Sequence, residues 1–320
     1  MPHVLVVGSV NADVIVDVDR LPLRGETIAA SKTDTGTFCP GGKGANQAAA
    51  AARLSEGTPS LMARFVGQFG HDAHGAALEK ALVAAGVDVT LSGHPACASG
   101  QAFVFVYPDG DNSIVIVGGA NAAWEAQLPP SVEAAIREAA IVLLQCEIPA
   151  YVNELVAKCA AAAKVPVLWD AGGEDRVLPT ELLHAITFLA PNETELARMA
   201  QCTVNNEADA IAAARKLQQQ GAQNVLVTLG GLGSILVPVD ATAPIVRQQC
   251  FKVAQVVDTT GAGDCYRSAF AVAIAQGKTF QESMAFAAAA SALCVQTRGA
   301  MPSMPTAAMT VEFLQQQKHK

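Results

Sequence analysis

Val4-Leu5-Val6-Val7-Gly8-Ser9-Val10 is an apolar run that stops at Asn11 and Asp13. It reads as a parallel strand buried on both faces, which requires a sheet covered on either side. Strand-like stretches recur at Leu61–Gly67, Ile141–Gln145, Pro166–Asp170, Ile186–Ala190 and Asn224–Leu229. Between them lie helical stretches such as Ala73–Ala85, Tyr151–Ala163 and Glu207–Gln220. This order predicts an α/β chain with a parallel, Rossmann-like central sheet flanked by helices. Two segments interrupt the alternation. Val14–Thr37 and Ser99–Gly118 carry β-branched runs, a turn at Pro108-Asp109-Gly110-Asp111 and no long helix.

With 320 residues, 51% hydrophobic and 16% charged, the chain can bury one large core, or one core plus a smaller appendage. A formal net charge of −8 argues against a nucleic-acid surface, which needs a basic footprint. It leaves a local phosphate site open, because nearby amides and cations set the potential in a cleft. The eight cysteines are scattered without a Cys-x-x-Cys pair, which favours reduced thiols over zinc or disulfides. Met1-Pro2-His3 is no basic leader and no apolar run reaches membrane length. The expectations are therefore no membrane partner and a cytoplasmic location.

Asp258-Thr259-Thr260-Gly261-Ala262-Gly263-Asp264 stands just ahead of the apolar helical run Ala269–Ala275. Small residues at 261–263 let backbone amides crowd around an anion, and the following helix points its unpaired N–H groups and positive dipole end the same way. Asp264 sits in the first turn, where the dipole favours its ionised form, so it can accept a proton from an incoming hydroxyl. Ordinary helix starts share these features, and a second segment adds weight. Gly41-Gly42-Lys43-Gly44-Ala45-Asn46-Gln47 opens the Ala-rich helix Ala48–Leu54. Bare backbone, one cation and one carboxamide suit a polyhydroxylated ligand. Lys43 is followed by Gly44 and Ala45, so this is not a Walker P-loop. Asn11 and Asp13 share one side of an extended segment and can grip adjacent hydroxyls, although both are also common turn formers. No dinucleotide fingerprint follows Gly8. Glu147 follows the 141–145 strand at the edge where open α/β sheets bind ligands. Glu193 and Glu195 come after Pro191 as acidic first-turn residues, which a plain helix start would also explain.

These segments, with Pro191-Asn192-Glu193-Thr194-Glu195 and Thr228-Leu229-Gly230-Gly231, make the chain resemble the PfkB-type carbohydrate kinase family, of the ribokinase-like fold, nearly end to end. The resemblance implies phosphorylation of a sugar hydroxyl by ATP, with D-ribose phosphorylated at O5 as the leading expectation. Alternatives are a kinase of the same fold acting on 2-deoxyribose, fructose or adenosine, or a sugar-binding protein without turnover. By position, the resemblance implies that Asn11, Asp13, Gly42, Lys43, Asn46 and Glu147 hold the sugar, that Asp264 is the base, and that Gly261, Ala262 and Gly263 form the anion hole. Asn192 and Glu195 match an element tied to magnesium and the nucleotide phosphates. Thr228, Gly230, Gly231 and Gly233 match a loop near the nucleotide, which Gly263 also reaches. Potassium is implied, held largely by backbone oxygens at Asp258, Thr260, Cys294, Thr297, Gly299 and Ser303. Residues 14–37 and 99–118 become a discontinuous β-lid over a core of 1–13, 38–98 and 119–320, and such lids commonly clasp a homodimer. Some positions depart from the family pattern. Arg267 is a charge where many relatives carry Asn or an apolar residue, facing either solvent or nucleotide, and Ala287 stands where His or Asn is frequent. Asp170-Ala171-Gly172-Gly173 lacks an expected proline, with no catalytic consequence foreseen.

Overall fold

In the computed structural model, which describes residues 2–58, 61–109, 111–173 and 177–318, the N-terminal apolar run forms β1 (His3–Val7), buried along its whole length. Its side chains alternate between two cores. Val4 and Val6 join a cluster with Ala48, Phe270 and Ala287, while Leu5 and Val7 join one with Val152, Trp169 and Leu217. That division is the period-two geometry of a strand covered on both faces, with the one polar residue, His3, at its first position.

The elements then follow as β2 (Asn11–Asp17), β3 (Thr37–Gly41), α1 (Lys43–Ser55), β4 (Met62–Val66), α2 (Ala73–Ala84), β5 (Gly100–Val106), β6 (Asn112–Val117), α3 (Pro130–Glu138), β7 (Ile141–Cys146) and α4 (Ala150–Ala162). They continue as β8 (Val167–Gly173), α5 (Thr180–Ala185), β9 (Phe188–Ala190), α6 (Glu193–Ala200), α7 (Glu207–Gln219), β10 (Asn224–Thr228), β11 (Ser234–Val237), β12 (Val246–Gln248), α8 (Ala262–Ala275), α9 (Phe280–Cys294) and α10 (Ala307–Lys318). The large sheet has the order β12-β11-β10-β9-β8-β7-β1-β4. From β4 through β10 its neighbours are parallel, as expected, but β11 and β12 add an antiparallel edge that the sequence reading did not contain. The cause is local: the tight turn Gly230–Leu232, closed by Gly233 at φ 100°, returns the chain directly beside β10.

The small sheet runs β3-β2-β5-β6. It takes in Asn11–Asp13 and Phe38–Gly41, which the sequence reading had left with the larger body. The β character expected across Val14–Thr37 ends at Asp17, and residues 18–36 form no strand. Pro22 and Gly25 fall in that stretch, and Glu26 N–H closes a turn on the Leu23 carbonyl. The β5–β6 hairpin is closed by Tyr107 N–H to the Asp111 carbonyl; Gly110 of the expected turn lies outside the described residues.

The Ala48–Ala51 run of α1 is fully buried and packs in the same core as Ala269, Ala271 and Ala273 of α8. Side chains this small let the two helices approach closely. Their N-termini therefore meet the carboxyl edge of the sheet, where Glu147, Asn192 and Thr228 lie at or just past the ends of β7, β9 and β10 and Asp170 lies midway along β8. Among the described residues no helix is long and apolar enough to cross a membrane.

Candidate active site

Two helix starts converge on one carboxylate. Gly42, the N-cap of α1, has φ 88°, and a methyl there would stand 2.8 Å from the Asn11 nitrogen, so only glycine lets α1 begin against the β1–β2 connection. Asn46 and Gln47 then project from the first turns of α1 toward α8. Asn46 Nδ2 donates to Asp264 Oδ2 at 3.1 Å, and Gln47 Nε2 donates to Asp264 Oδ1 at 3.0 Å. Asp264 itself is buried in the first turn of α8. Burial pushes its carboxyl up to about 6; Lys43 opposes the shift and Asp170 reinforces it.

The start of α8 carries unpaired amides. Gly261 is its N-cap at φ 77°, a left-handed conformation that glycine adopts freely. Of the three amides expected in an anion hole, that of Ala262 is spent on the Thr259 carbonyl at 3.1 Å, which corrects the sequence reading at this position. Among the described backbone hydrogen bonds, none uses the amides of Gly261, Gly263 or Asp264 as donors. These three, with the helix dipole behind them, are free to meet an anion.

On the opposite wall, Glu147 Oε2 accepts from Ser9 Oγ at 2.6 Å and from the Lys43 amide at 3.0 Å, tying β7 to the start of α1. Asn11 Oδ1 accepts from Asn121 Nδ2 at 2.6 Å. Asp13 packs against Gly41, where a Cβ would collide with its carboxylate. Asp13 Oδ1 and Asn46 Oδ1 are both buried without a hydrogen-bond partner. Orphaned acceptors of this kind are costly unless a ligand supplies donors, and a sugar hydroxyl is such a donor. Burial, followed by the negative charges of Glu147 and Asp264, pushes Asp13 up to about 7. A methyl on Gly172 would stand 2.9 Å from Lys43 Nζ and 3.0 Å from Asp170 Oδ1, so the ammonium and that carboxylate are neighbours. Burial alone would depress the Lys43 pKa, but Asp170, Asp264 and Glu147 outweigh it and hold the group charged.

Arg267 faces neither solvent nor an open groove. It is 4% exposed, with Nε 3.2 Å from Asp170 Oδ1, Nη2 3.5 Å from Glu195 Oε2, and both nitrogens donating to the Ala190 carbonyl. Glu195 also closes a capping box with Asn192 at the start of α6. The helix-start reading of this pair therefore holds: a capped helix whose first turn sits at the sheet edge. Asn192 bridges Thr228, and Gly230, Gly231 and Gly233 form the turn that follows β10. Ala287 is fully buried in the core on α9. Sequence reasoning passed over Ser9, Gln47, Asn121 and Asp170. Two signals were available: Asp170 ends a fully apolar strand, and Gln47 closes the GGKGANQ segment.

The model of the pfkB family of carbohydrate kinases matches residues 1–307. The chain belongs to that family. A ribokinase of Arabidopsis thaliana is 45% identical over 98% of this chain and 81% of its own length. One from Haemophilus influenzae is 34% identical over 97% of each. A solved structure of Arabidopsis thaliana ribokinase complexed with ribose and ATP superposes with a TM-score of 0.90 at 44% identity, covering 98% of both chains.

In this pfkB kinase the cation positions implied by the resemblance can be tested against the donors present. Asp258 accepts from the amides of Thr260 at 2.9 Å and Gly299 at 2.8 Å, tying the loop before α8 to the loop after α9. Burial opposes ionisation of Asp258, but those amide bonds win and hold its carboxyl below the usual range. Among the described backbone hydrogen bonds, none ends on the carbonyls of Asp258, Thr260, Thr297 or Gly299. Free carbonyl oxygens beside an ionised carboxylate suit a weakly hydrated monovalent cation. Cys294 Sγ lies 3.0 Å from Ser303 Oγ, which itself donates to the Ala300 carbonyl, so Cys294 and Ser303 also brace this loop. Glu195 Oε2 is committed to the capping box and Arg267, and a carboxylate oxygen such as its Oε1 is of the type that would suit magnesium held through water or phosphate.

Proposed function

We propose that this kinase is a ribokinase, transferring the terminal phosphoryl group of ATP to O5 of D-ribose. The observation that carries the proposal is the pairing of a buried carboxylate, Asp264, with three free amides at the same helix start, facing a wall of unpaired acceptors at Asp13 and Asn46. The ribokinases similar along nearly the whole chain direct the choice of sugar to ribose.

Asn11, Asp13, Asn46, Glu147 and the Gly42 backbone hold the pentose, with Asp13 and Asn46 accepting from its hydroxyls. Asp264 accepts the O5 proton as the new P–O bond forms; ADP leaves with the electron pair of the broken bond. Negative charge on the transferring oxygens is received by the amides of Gly261, Gly263 and Asp264, which are already oriented and cost no reorganisation. Lys43 stays protonated throughout and supplies a fixed positive charge. Residues Asp258, Thr260, Cys294, Thr297, Gly299 and Ser303 would hold potassium, and Glu195 with Asn192 would orient magnesium and the nucleotide phosphates. When bound, these cations supply charge neutralisation around the phosphates. Thr228, Gly230, Gly231 and Gly233 line the nucleotide side.

The small sheet closes over the sugar and joins two copies in a homodimer. Its β6 strand leaves Ile114, Val115, Ile116 and Val117 each about half exposed, an apolar surface on both faces that a partner sheet would cover. The test of the activity is ADP release across a panel of D-ribose, 2-deoxyribose, fructose and adenosine, with and without potassium. Strong ribose-dependent release that potassium stimulates is expected; preference for another member of the panel would reassign the substrate.

A further inference from the structure

Gln47 is a carboxamide with nothing left to give. Its Oε1 accepts from Gln145 Nε2 at 2.7 Å, and its Nε2 spends its hydrogens on two carboxylates, Asp170 Oδ2 at 2.8 Å and Asp264 Oδ1 at 3.0 Å. The residue is 0% exposed, and Ser268 Oγ holds its backbone carbonyl at 2.9 Å. Asp170, also 0% exposed, is fixed on its other side by Arg267 and by its own contact with the Gly172 amide at 2.9 Å, with the Lys43 ammonium nearby. Arg267 occupies space that only Gly263 leaves open, since a Cβ there would stand 2.6 Å from Nη1. Its side chain thus runs back along α8 beneath the loop that offers the free amides. One guanidinium therefore links β8, the capping box of α6 and the anion-binding turn.

Resting on the reading of Asp264 as the base, we propose that Arg267, Asp170 and Gln47 form a positioning relay: Arg267 anchors Asp170, Asp170 fixes the Gln47 carboxamide, and Gln47 holds the Asp264 carboxylate at the angle from which it meets the sugar hydroxyl. The physical need is plain. A short carboxylate on a helix turn can rotate about χ1 and χ2, and a donor that is itself immobilised removes that freedom before the substrate arrives. An unanchored glutamine would not do this, because its three rotatable bonds would follow the carboxylate. Asp170 adds a second effect, since its charge faces Asp264 across the shared donor. The charged groups that act on Asp264 are Lys43 from α1, Asp13 from β2 and Asp170 from β8, with Glu147 after β7 and Arg267 from α8 acting in turn on Lys43. Two neighbours of the base, one neutral donor and one charge, can be altered with opposite effects on it. Gln47 stabilises ionised Asp264 and Asp170 opposes it.

The experiment compares wild type with the near-isosteric variants Gln47→Met and Asp170→Asn and the double variant Asp170→Asn/Arg267→Met, which leaves neither charge unpaired. It reads steady-state kinetics with ribose and ATP, and a carbon-13 titration of the Asp264 carboxyl in the free protein, assigned with Asp264→Asn. Both single variants are expected to lose about 10- to 100-fold in kcat, the size of one charge-assisted hydrogen bond, with sugar KM within about threefold. The Asp264 titration is expected to move up in Gln47→Met and down in Asp170→Asn. The double variant should lose at least as much kcat as Asp170→Asn, because Arg267→Met also strips the guanidinium from Glu195 and the Ala190 carbonyl, while its Asp264 titration should still lie below that of Gln47→Met. Retention of kcat within about twofold in both single variants, or titrations that stay put or move in one direction, would overturn the relay. A wild type without turnover would instead overturn the functional reading, while the titrations would still decide the relay.

Discussion

Asp264→Asn separates chemistry from stability. In the wild type the buried carboxyl is pushed up from 3.8 to about 6, so the folded protein binds this proton more tightly than the unfolded chain. The favourable contribution is present in full below the unfolded value and is lost as pH rises through the folded value, so that by neutral pH the buried charge costs about 3 kcal/mol relative to acid conditions. Replacing the acid with its amide removes that penalty. It also leaves one of two donors, Asn46 Nδ2 or Gln47 Nε2, facing an NH2 group, which costs about 1–3 kcal/mol. The expected net change in stability at pH 7.5 lies between zero and about 2 kcal/mol in favour of the variant. Turnover, by contrast, should fall by at least about 100-fold, since the proton acceptor is gone. The assays are thermal unfolding at pH 7.5 and 5, calorimetric binding of ribose and ATP, and ADP release. A variant that binds both substrates, melts no earlier than wild type and scarcely turns over is the expected result. Turnover within about tenfold of wild type would refute the role of base. A variant that melts much earlier would show that the charge serves the fold.

Three further outcomes follow from the same geometry. As pH falls, kcat/KM should decline about tenfold per unit below about 6, as Asp264 takes up its proton; a profile flat down to pH 5 would contradict the assignment. Gly261→Ala forces a side chain into φ 77°, 2.8 Å from the Ala300 Cβ, and should lower kcat by at least about tenfold by turning the free amides away; unchanged turnover would remove the anion hole from this loop. Ile114→Lys combined with Ile116→Lys should convert a dimer to a monomer in sedimentation velocity, and an unchanged sedimentation coefficient would place any interface elsewhere.

The sequence carried the parts whose physics is local. Val4–Val7 had to be a doubly covered strand because no residue in it tolerates water, and the glycines at 42 and 261 stand where a positive φ is needed. What it could not carry depends on long-range placement. Arg267 has ambiguous surroundings until the fold brings Asp170, Ala190 and Glu195, between 72 and 97 residues away in the chain, to its guanidinium. Asp170 looked like a strand end with no chemical consequence, and only the packing of α1 against α8 puts Gln47 between it and Asp264. The antiparallel β11 and β12 were hidden for a different reason: strands of four and three residues are too short for periodicity to register. The amide of Ala262 turned back on Thr259 because the chain must tighten before a helix that starts at a left-handed glycine.

The central claim is geometric, and a structure of the protein with D-ribose and a non-hydrolysable ATP analogue tests it most directly. The pentose O5 is expected within about 2.6–3.2 Å of an Asp264 carboxylate oxygen, with the terminal phosphate against the amides of Gly261 and Gly263. A sugar bound with O5 beyond reach of Asp264, or a phosphate lodged away from the start of α8, would contradict it.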